Sequence, residues 1–169
     1  MKEFDYLLAF SRNIGWLTEA EQLSLKGKKV AVGGLGGVGG SHLITLARLG
    51  VGRFSIADMD SFDWPNMNRQ AGAFASTIGK AKAEVLADMV RDINPQVEIE
   101  VFPFGVNEDN LDKFLDGADL YMDSLDLFCI EIREKVFARC HALGIPAITA
   151  APLGMGTAVL AFDPKEGMS

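Results

Sequence analysis

Glycines at the spacing of a phosphate-binding loop are the strongest chemical signal in this sequence. Gly34, Gly36 and Gly39 satisfy the pattern G-x-G-x-x-G, with Gly37 between them, directly after the β-branched run 30–32. Without Cβ atoms, such a turn lets a phosphate approach the backbone N–H groups at the N-terminus of the next helix. The glycines therefore predict a nucleotide site; the alternative is a turn that only lets a helix pack closely on a strand.

A polar stretch follows the second predicted strand, which ends at Ala57. Asp58 comes about 20 residues after the glycines, where an acid accepts hydrogen bonds from a ribose hydroxyl. The segment from Asp58 to Gln70 is rich in Asp, Pro and Asn, which predicts a loop. It has more polar residues than a simple connection needs, and such loops commonly carry function.

Three cations and a second acidic residue are further candidates for the predicted nucleotide site. Lys80 and Lys82 open a predicted helix, where the helix dipole prefers anions, and this misfit indicates an anion nearby. Arg69 and Lys82 suit the phosphates of a nucleoside triphosphate, and Asp126, after another strand, suits a magnesium ion held directly or through water. A nicotinamide dehydrogenase is the alternative, but it has no need of these cations.

Alternating strands and helices position these residues. The pattern predicts an α/β, Rossmann-like, doubly wound and mainly parallel sheet with helices on both faces, whose ligands bind at the carboxyl ends of the strands. It predicts one domain over residues 1–169, with a helical arm over 1–27. The predicted strands are 28–32, 53–57, 97–102, 119–123, 145–150 and 157–162, and the predicted helices are 18–25, 39–49, 78–93, 107–115 and 128–143.

Composition limits the class of protein. The 169 residues are 49% hydrophobic, enough for one buried core, and carry a net charge of −7, which argues against a nucleic-acid surface without excluding a local basic pocket. Cys129 and Cys140 form neither a zinc pair nor a disulfide framework and are interpreted as buried free thiols. His42 and His141 are interpreted as packing or surface residues. Without a membrane span or signal peptide, we expect a cytoplasmic enzyme.

Seven ordered motifs cover nearly the whole chain, and in this order the sequence resembles the ThiF/MoeB-type adenylyltransferases, bacterial relatives of the ubiquitin-activating enzymes. The motifs are Arg12, Gly34-Leu35-Gly36-Gly37-Val38-Gly39, Asp58-Met59-Asp60, Asn66-Met67-Asn68-Arg69-Gln70, Gly79-Lys80-Ala81-Lys82, Asn94-Pro95 and Asp123-Ser124-Leu125-Asp126.

The resemblance implies an enzyme that uses ATP and Mg2+ to adenylate a carboxylate, often the C-terminal glycine of a ubiquitin-like or sulfur-carrier protein, with release of pyrophosphate. The glycine-loop amides would line the nucleotide, Asp58 would bind its ribose, and Asp60 of the same motif is a further candidate for nucleotide binding. Asn66, Arg69 and Lys82 match the family's phosphate-binding positions, and Asp126 matches its magnesium-linked aspartate.

Arg12 shows where the resemblance changes an interpretation. No apolar periodicity surrounds Arg12, which by itself favours a solvated surface charge. In the family, the matching arginine reaches the γ-phosphate held by the partner subunit, so the resemblance implies a catalytic role for Arg12 and a homodimer.

The sequence also departs from the family pattern. No cysteine follows Phe162, the zinc-binding CxxC pairs of many relatives are absent, and the chain ends soon after a predicted strand, so we expect a longer native protein. Two alternatives to carrier-protein activation stay open. One is an enzyme resembling the tRNA threonylcarbamoyladenosine dehydratases, and the other is a nucleotide-binding module without catalysis.

Overall fold

The computed structural model describes residues 3–165, which form six strands and six α-helices. In chain order the elements are α1 (Tyr6–Ala9), α2 (Glu19–Gly27), β1 (Lys29–Gly33), α3 (Gly37–Leu49), β2 (Arg53–Ala57), α4 (Lys82–Ile93), β3 (Glu98–Phe102), α5 (Leu111–Leu115), β4 (Leu120–Asp123), α6 (Ile130–Leu143), β5 (Ala147–Leu153) and β6 (Gly156–Phe162). Two 3-10 turns, Ser11–Asn13 and Trp64–Asn66, lie between them. Residues 1–2 and 166–169, the ends of the predicted domain, lie outside the described residues.

The strands form one sheet in the order β3-β2-β1-β4-β5-β6. The first five strands are parallel, and β6 pairs with β5 as an antiparallel hairpin. In this register Gly33 lies beside Ala57 on one side and Asp123 on the other. The glycine loop, the segment after β2 and the segment after β4 therefore leave the sheet at the same edge, where ligands bind in folds of this type.

Helices cover both faces of the sheet, which confirms the predicted doubly wound architecture. On one face Val30 and Val32 of β1 pack with residues of α3 and α4, such as Leu43 and Leu86. On the other face Ala31 packs in a second cluster with residues of α5 and α6. Successive residues of β1 point to opposite faces and all are buried, as expected for a parallel strand covered on both sides.

The N-terminal arm packs against the C-terminal end of α3. The Tyr6 hydroxyl donates to the carbonyl of Gly50 at 2.6 Å, and the Asn13 side-chain amide donates to the carbonyl of Leu49 at 3.1 Å. Thr18 and Glu21 form the predicted capping box at the start of α2. No helix among residues 3–165 is long and apolar enough to cross a membrane.

Three helices begin later than the sequence predicts. Helix α4 begins at Lys82 instead of residue 78, because Gly79 adopts a positive φ of 82° and Ala81 pairs with Ser61 in an isolated bridge. Helix α5 begins at Leu111, since the predicted cap Asn107 instead accepts hydrogen bonds from the amides that follow it in a turn. Helix α6 begins at Ile130 instead of residue 128.

The two cysteines differ. Cys140 is 1% exposed in α6, and burial, followed by the nearby Asp123 carboxylate, raises the pKa of its thiol to about 12. It is the buried free thiol that the sequence predicts. Cys129 precedes α6 and is only half-buried, so the prediction of a buried thiol is wrong there.

Candidate active site

The glycine loop joins β1 to the N-terminus of α3. Gly34 adopts a φ of 82°, and its N–H donates to the carbonyl of Ala57 at 2.9 Å, which ties the turn to the end of β2. Gly36 occupies the N-cap position of α3, and no side chain caps the helix there. The first N–H groups of an α-helix have no intrahelical acceptor, so this end of α3 presents donors to an anionic ligand.

The four glycines of the loop meet different surroundings. A Cβ atom on Gly34 would lie 2.2 Å from the carbonyl oxygen of Ser124, and one on Gly39 would lie 1.8 Å from the carbonyl oxygen of Gly34. These two glycines are required by close backbone packing. At Gly36 the nearest heavy atom to such a Cβ is a side-chain nitrogen at 3.7 Å, and at Gly37 it is a side-chain carbon at 3.3 Å. Gly36 and Gly37 therefore face side chains and open space.

These surroundings predict a split between two substitutions. Gly34→Ala should destabilise the fold by about 3 kcal/mol or more, because it combines a positive φ with a backbone clash. Gly36→Ala should leave the melting temperature within about 3 °C and weaken ATP binding by about tenfold or more, because its methyl group would occupy space over the helix terminus. Thermal unfolding and calorimetric titration measure the two effects. Equal destabilisation by both substitutions would contradict this division of roles.

Asp58 is bound to the loop by its carboxylate. One oxygen accepts from the N–H of Leu35 at 2.7 Å and the other from the N–H of Asp60 at 2.8 Å. The half-buried carboxylate thus lies against the turn that begins α3. Its assignment to the ribose stays a prediction.

Lys82 has a counterion within the protein. Its ammonium group lies 2.9 Å from a carboxylate oxygen of Asp60, and the Lys82 side chain is only 7% exposed. The anion expected at the start of α4 is therefore Asp60 in this structure. Lys80 precedes the helix, so the prediction of two lysines in its first turn is wrong. A phosphate bound by Lys82 would share the ammonium group with Asp60.

Arg69 lies over the start of α3 and Asn66 supports the loop that carries it. The Arg69 Cγ is the nearest atom to a Cβ built on Gly37, and its guanidinium donates to the carbonyl of Pro65 at 3.0 Å. Within residues 3–165 this exposed guanidinium forms no ion pair with a carboxylate. The Asn66 side-chain oxygen accepts from the N–H of Asp63 at 2.9 Å and shapes the 3-10 turn. Arg69 is thus a cation available to an anionic ligand at this helix end.

Asp126 lies on the loop between β4 and α6. It is exposed, and one of its oxygens accepts from the N–H of Phe128 at 3.1 Å. In the part of the chain that the structure describes, no cluster of three or more His, Cys, Asp or Glu residues could hold a metal alone. Mg2+ is commonly bound through one or two carboxylates together with phosphates and water, and a single exposed carboxylate fits that mode.

Sequence reasoning missed a buried ion pair beneath Asp126. Asp123 is fully buried at the end of β4, and its carboxylate accepts from the Arg133 Nε at 2.7 Å and from the Tyr121 hydroxyl at 3.1 Å. Burial, followed by the Asp123 charge, raises the pKa of Tyr121 above its ordinary value. Arg133 also donates to Thr149 of β5 at 2.9 Å. This network fixes both ends of the loop that carries Asp126.

Arg12 is not part of this group. It lies in the exposed 3-10 turn next to Asn13, which is bonded to Leu49 at the C-terminal end of α3. The 13 residues of α3 span about 20 Å, so Arg12 lies at the opposite end of this helix from the glycine loop. An arginine side chain cannot cover that distance within one chain.

A cavity of about 730 Å3 lies elsewhere, between α6 and the β5–β6 hairpin. Apolar side chains such as Ile130, Phe137 and Leu160 line it. None of the predicted site residues lines this cavity, so the candidate nucleotide site is separate from it.

Comparison with known proteins identifies the family of this chain. The sequence pattern of the ThiF family matches residues 10–169, which include every predicted site residue. The chain belongs to the ThiF family. This confirms the family resemblance drawn from the ordered motifs.

Two curated relatives and one solved structure illustrate the similarity of this ThiF-family chain to known enzymes. The tRNA threonylcarbamoyladenosine dehydratase of Bacillus subtilis (strain 168) is 36% identical over 142 residues, covering 83% of this chain and 55% of the relative. The molybdopterin-synthase adenylyltransferase of Salmonella typhimurium (strain LT2) is 29% identical over 163 residues, covering 95% and 64%. The E. coli tRNA N6-threonylcarbamoyladenosine dehydratase in complex with ATP superposes with a TM-score of 0.80 at 30% identity, covering 85% and 58%. The chain therefore spans between about half and two thirds of each relative.

Proposed function

We propose that this chain is an ATP-dependent adenylyltransferase that activates a carboxylate and releases pyrophosphate. The observation that carries the proposal is the position of Arg69, a cation that has no carboxylate partner among residues 3–165 and packs on Gly37 at the N-terminus of α3. A helix terminus and a guanidinium together favour a phosphate group. The ATP complex of the related dehydratase supports the choice of ATP.

Adenylation of a carboxylate requires that the protein neutralise charge and position the two reactants. A carboxylate oxygen attacks the α-phosphorus of ATP, the bond to the β-phosphate oxygen breaks, and pyrophosphate leaves with the electron pair. Two anions must meet, so Arg69 and Lys82 would lower the barrier by neutralising charge on the phosphates. Asp58 would orient the ribose, while the glycine-loop amides would hold the phosphates in line. No protein nucleophile is needed.

Mg2+ belongs to the proposal as a cofactor of ATP. Asp126, with support from phosphate oxygens and water, would hold it, and the bound ion would supply further neutralisation of the leaving pyrophosphate. Arg12 would complete the site from a second copy in a homodimer, since it cannot reach the glycine loop of its own chain. We place the enzyme in the cytoplasm, where ATP is available.

For the carboxylate, we propose the C-terminal glycine of a ubiquitin-like or sulfur-carrier protein. Relatives named molybdopterin-synthase adenylyltransferase support a substrate of this class. A second candidate is a tRNA nucleoside that bears a carboxylate, favoured by the higher identity to the tRNA threonylcarbamoyladenosine dehydratases. The net charge of −7 weighs against a large RNA-binding surface.

Binding of ATP and NAD, compared by calorimetry with magnesium present, tests the nucleotide. We expect ATP to bind at least about tenfold more tightly than NAD. The reason is that Arg69 and Lys82 suit the three consecutive phosphates of ATP, whereas a dinucleotide has no third phosphate for them to contact. A preference for NAD would contradict the proposal and favour a dehydrogenase.

Pyrophosphate exchange then separates the substrate classes. Exchange of labelled pyrophosphate into ATP that depends on a diglycine-tailed carrier supports the first class. Exchange or AMP release that depends on tRNA supports the second and should fall steeply with added salt. ATP binding without turnover with either substrate class would favour a nucleotide-binding module.

A further inference from the structure

We propose that Gln70 is a nucleotide-contacting residue, whose side-chain amide donates a hydrogen bond to a phosphoryl oxygen bound at the N-terminus of α3. The inference rests on the proposed function and adds a ligand to that site. It concerns a residue adjacent to Arg69 that packs on the same helix end. In the sequence Gln70 is the last residue of the motif Asn66-Met67-Asn68-Arg69-Gln70, in which the resemblance gives a role to Asn66 and Arg69 and none to Gln70.

Gln70 is buried but its amide is not satisfied by the protein. The residue is 8% exposed, and its side-chain oxygen is fully buried. Within residues 3–165 neither end of this amide forms a hydrogen bond; its oxygen is one of four buried side-chain polar atoms without a partner. The unpaired oxygen is an acceptor, so a donor such as ordered water must complete it, whereas the Nε2 of the same amide is left to donate to a ligand.

The free amide faces the glycine loop. The Gln70 Nε2 is 3.7 Å from the position of a Cβ on Gly36, and apart from Gly36 and its two chain neighbours no other heavy atom of residues 3–165 lies within 4 Å of that position. The space over the N-cap of α3 is therefore bounded by Gln70 and otherwise open. An anion there would accept from the free backbone N–H groups of the helix and from the Gln70 amide.

The opposite side of the loop shows the same feature. The Ser124 hydroxyl is also buried without a partner among the described residues, and its Cβ would lie 2.9 Å from a Cβ on Gly39. Two unpaired polar groups from separate elements thus flank one glycine loop. This arrangement favours a polar ligand over a purely structural role for Gln70.

Three variants test the proposal. Gln70→Met keeps the length of the side chain and removes both hydrogen-bonding atoms, while Gln70→Glu keeps the shape and adds a negative charge. Gln96→Glu adds the same charge at an exposed position on the loop between α4 and β3, at the other end of the sheet, and is the matched control. Thermal unfolding of each variant reports whether the fold is intact.

The readout is the affinity for MgATP, AMP and adenosine, by calorimetry for the nucleotides and by NMR titration to millimolar concentration for adenosine. We expect Gln70→Met to weaken ATP and AMP binding by about tenfold, the loss of one hydrogen bond to a charged group. We expect about a hundredfold for Gln70→Glu, because the new charge repels phosphate. Adenosine affinity should stay within twofold of wild type, as should all affinities of Gln96→Glu. If Gln70→Glu does not fold, Gln70→Met alone decides.

Two results would overturn the proposal while leaving the proposed function intact. One is the finding that wild type binds ATP and that the Gln70 variants bind it with the same affinity. The other is a loss of adenosine affinity by the same factor as ATP, which would mean that Gln70 only shapes the loop. A wild-type protein that binds neither ATP nor AMP would contradict the proposed function and the Gln70 contact together.

Discussion

Asp126→Ala is expected to lower the rate of magnesium-dependent adenylylation by on the order of 10²–10³-fold, with the melting temperature within about 2 °C of wild type. The stability should hold because the exposed Asp126 side chain has one hydrogen bond, from the N–H of Phe128 at 3.1 Å. The activity should fall because no other cluster among residues 3–165 could replace this carboxylate as a metal site.

ATP affinity with and without magnesium gives a readout that needs no acyl substrate. Wild type should bind ATP more tightly when magnesium is present, and Asp126→Ala should lose most of that gain. Asp92→Ala removes another exposed carboxylate, from the last part of α4, and is the matched control. Wild-type activity in Asp126→Ala would remove this residue from the mechanism.

Arg12→Ala should lower turnover by on the order of 10³-fold, the scale of an arginine that stabilises a phosphoryl-transfer transition state. Because α3 separates Arg12 from the glycine loop of its own chain by about 20 Å, the lost group would come from a second subunit. Mixing Arg12→Ala with inactive Lys82→Ala should therefore restore activity. With free subunit exchange at equal amounts, half of the dimers are mixed and each holds one complete site, so about a quarter of all sites recover.

The mixing experiment has its own control. Each variant is first shown to exchange subunits, by native mass spectrometry of differently tagged copies. Arg48→Ala removes an exposed cation from the last turn of α3 and should keep wild-type activity. Its mixture with Lys82→Ala should be as active as a mixture of wild type with Lys82→Ala. Absence of recovery in mixed dimers that demonstrably form would contradict a shared site, as would a monomeric protein with full activity.

Local patterns in the sequence determined the architecture. The β-branched run before Gly34 and the apolar spacing after Gly39 are each encoded within a dozen residues, and they are sufficient to predict a strand, a turn and a helix. The Thr18 to Glu21 capping box was predictable for the same reason, since both of its hydrogen bonds join residues three apart. Alternating strands and helices then restrict the topology to a few choices.

The positions of the site residues near strand ends were predictable from the sequence, but their ion-pair partners were not. The sequence placed Asp58, Arg69, Lys82 and Asp126 at one edge of the sheet, because carboxyl ends of parallel strands share an edge. It did not show that Lys82 is paired with Asp60, 22 residues away, or that Arg133 is paired with the buried Asp123. Such pairs depend on how loops fold over one another, and no periodicity records them.

The roles of the individual glycines and of Gln70 were decided by tertiary structure alone. The four glycines of the loop cannot be told apart in the sequence, yet backbone atoms exclude a side chain at Gly34 and Gly39 and not at Gly36. Gln70 became a candidate ligand only through its position, with its side-chain nitrogen beside Gly36 and its buried oxygen without a partner among residues 3–165. The chain encodes its elements through short-range spacing, whereas the contents of the site depend on which distant side chains meet at the end of α3.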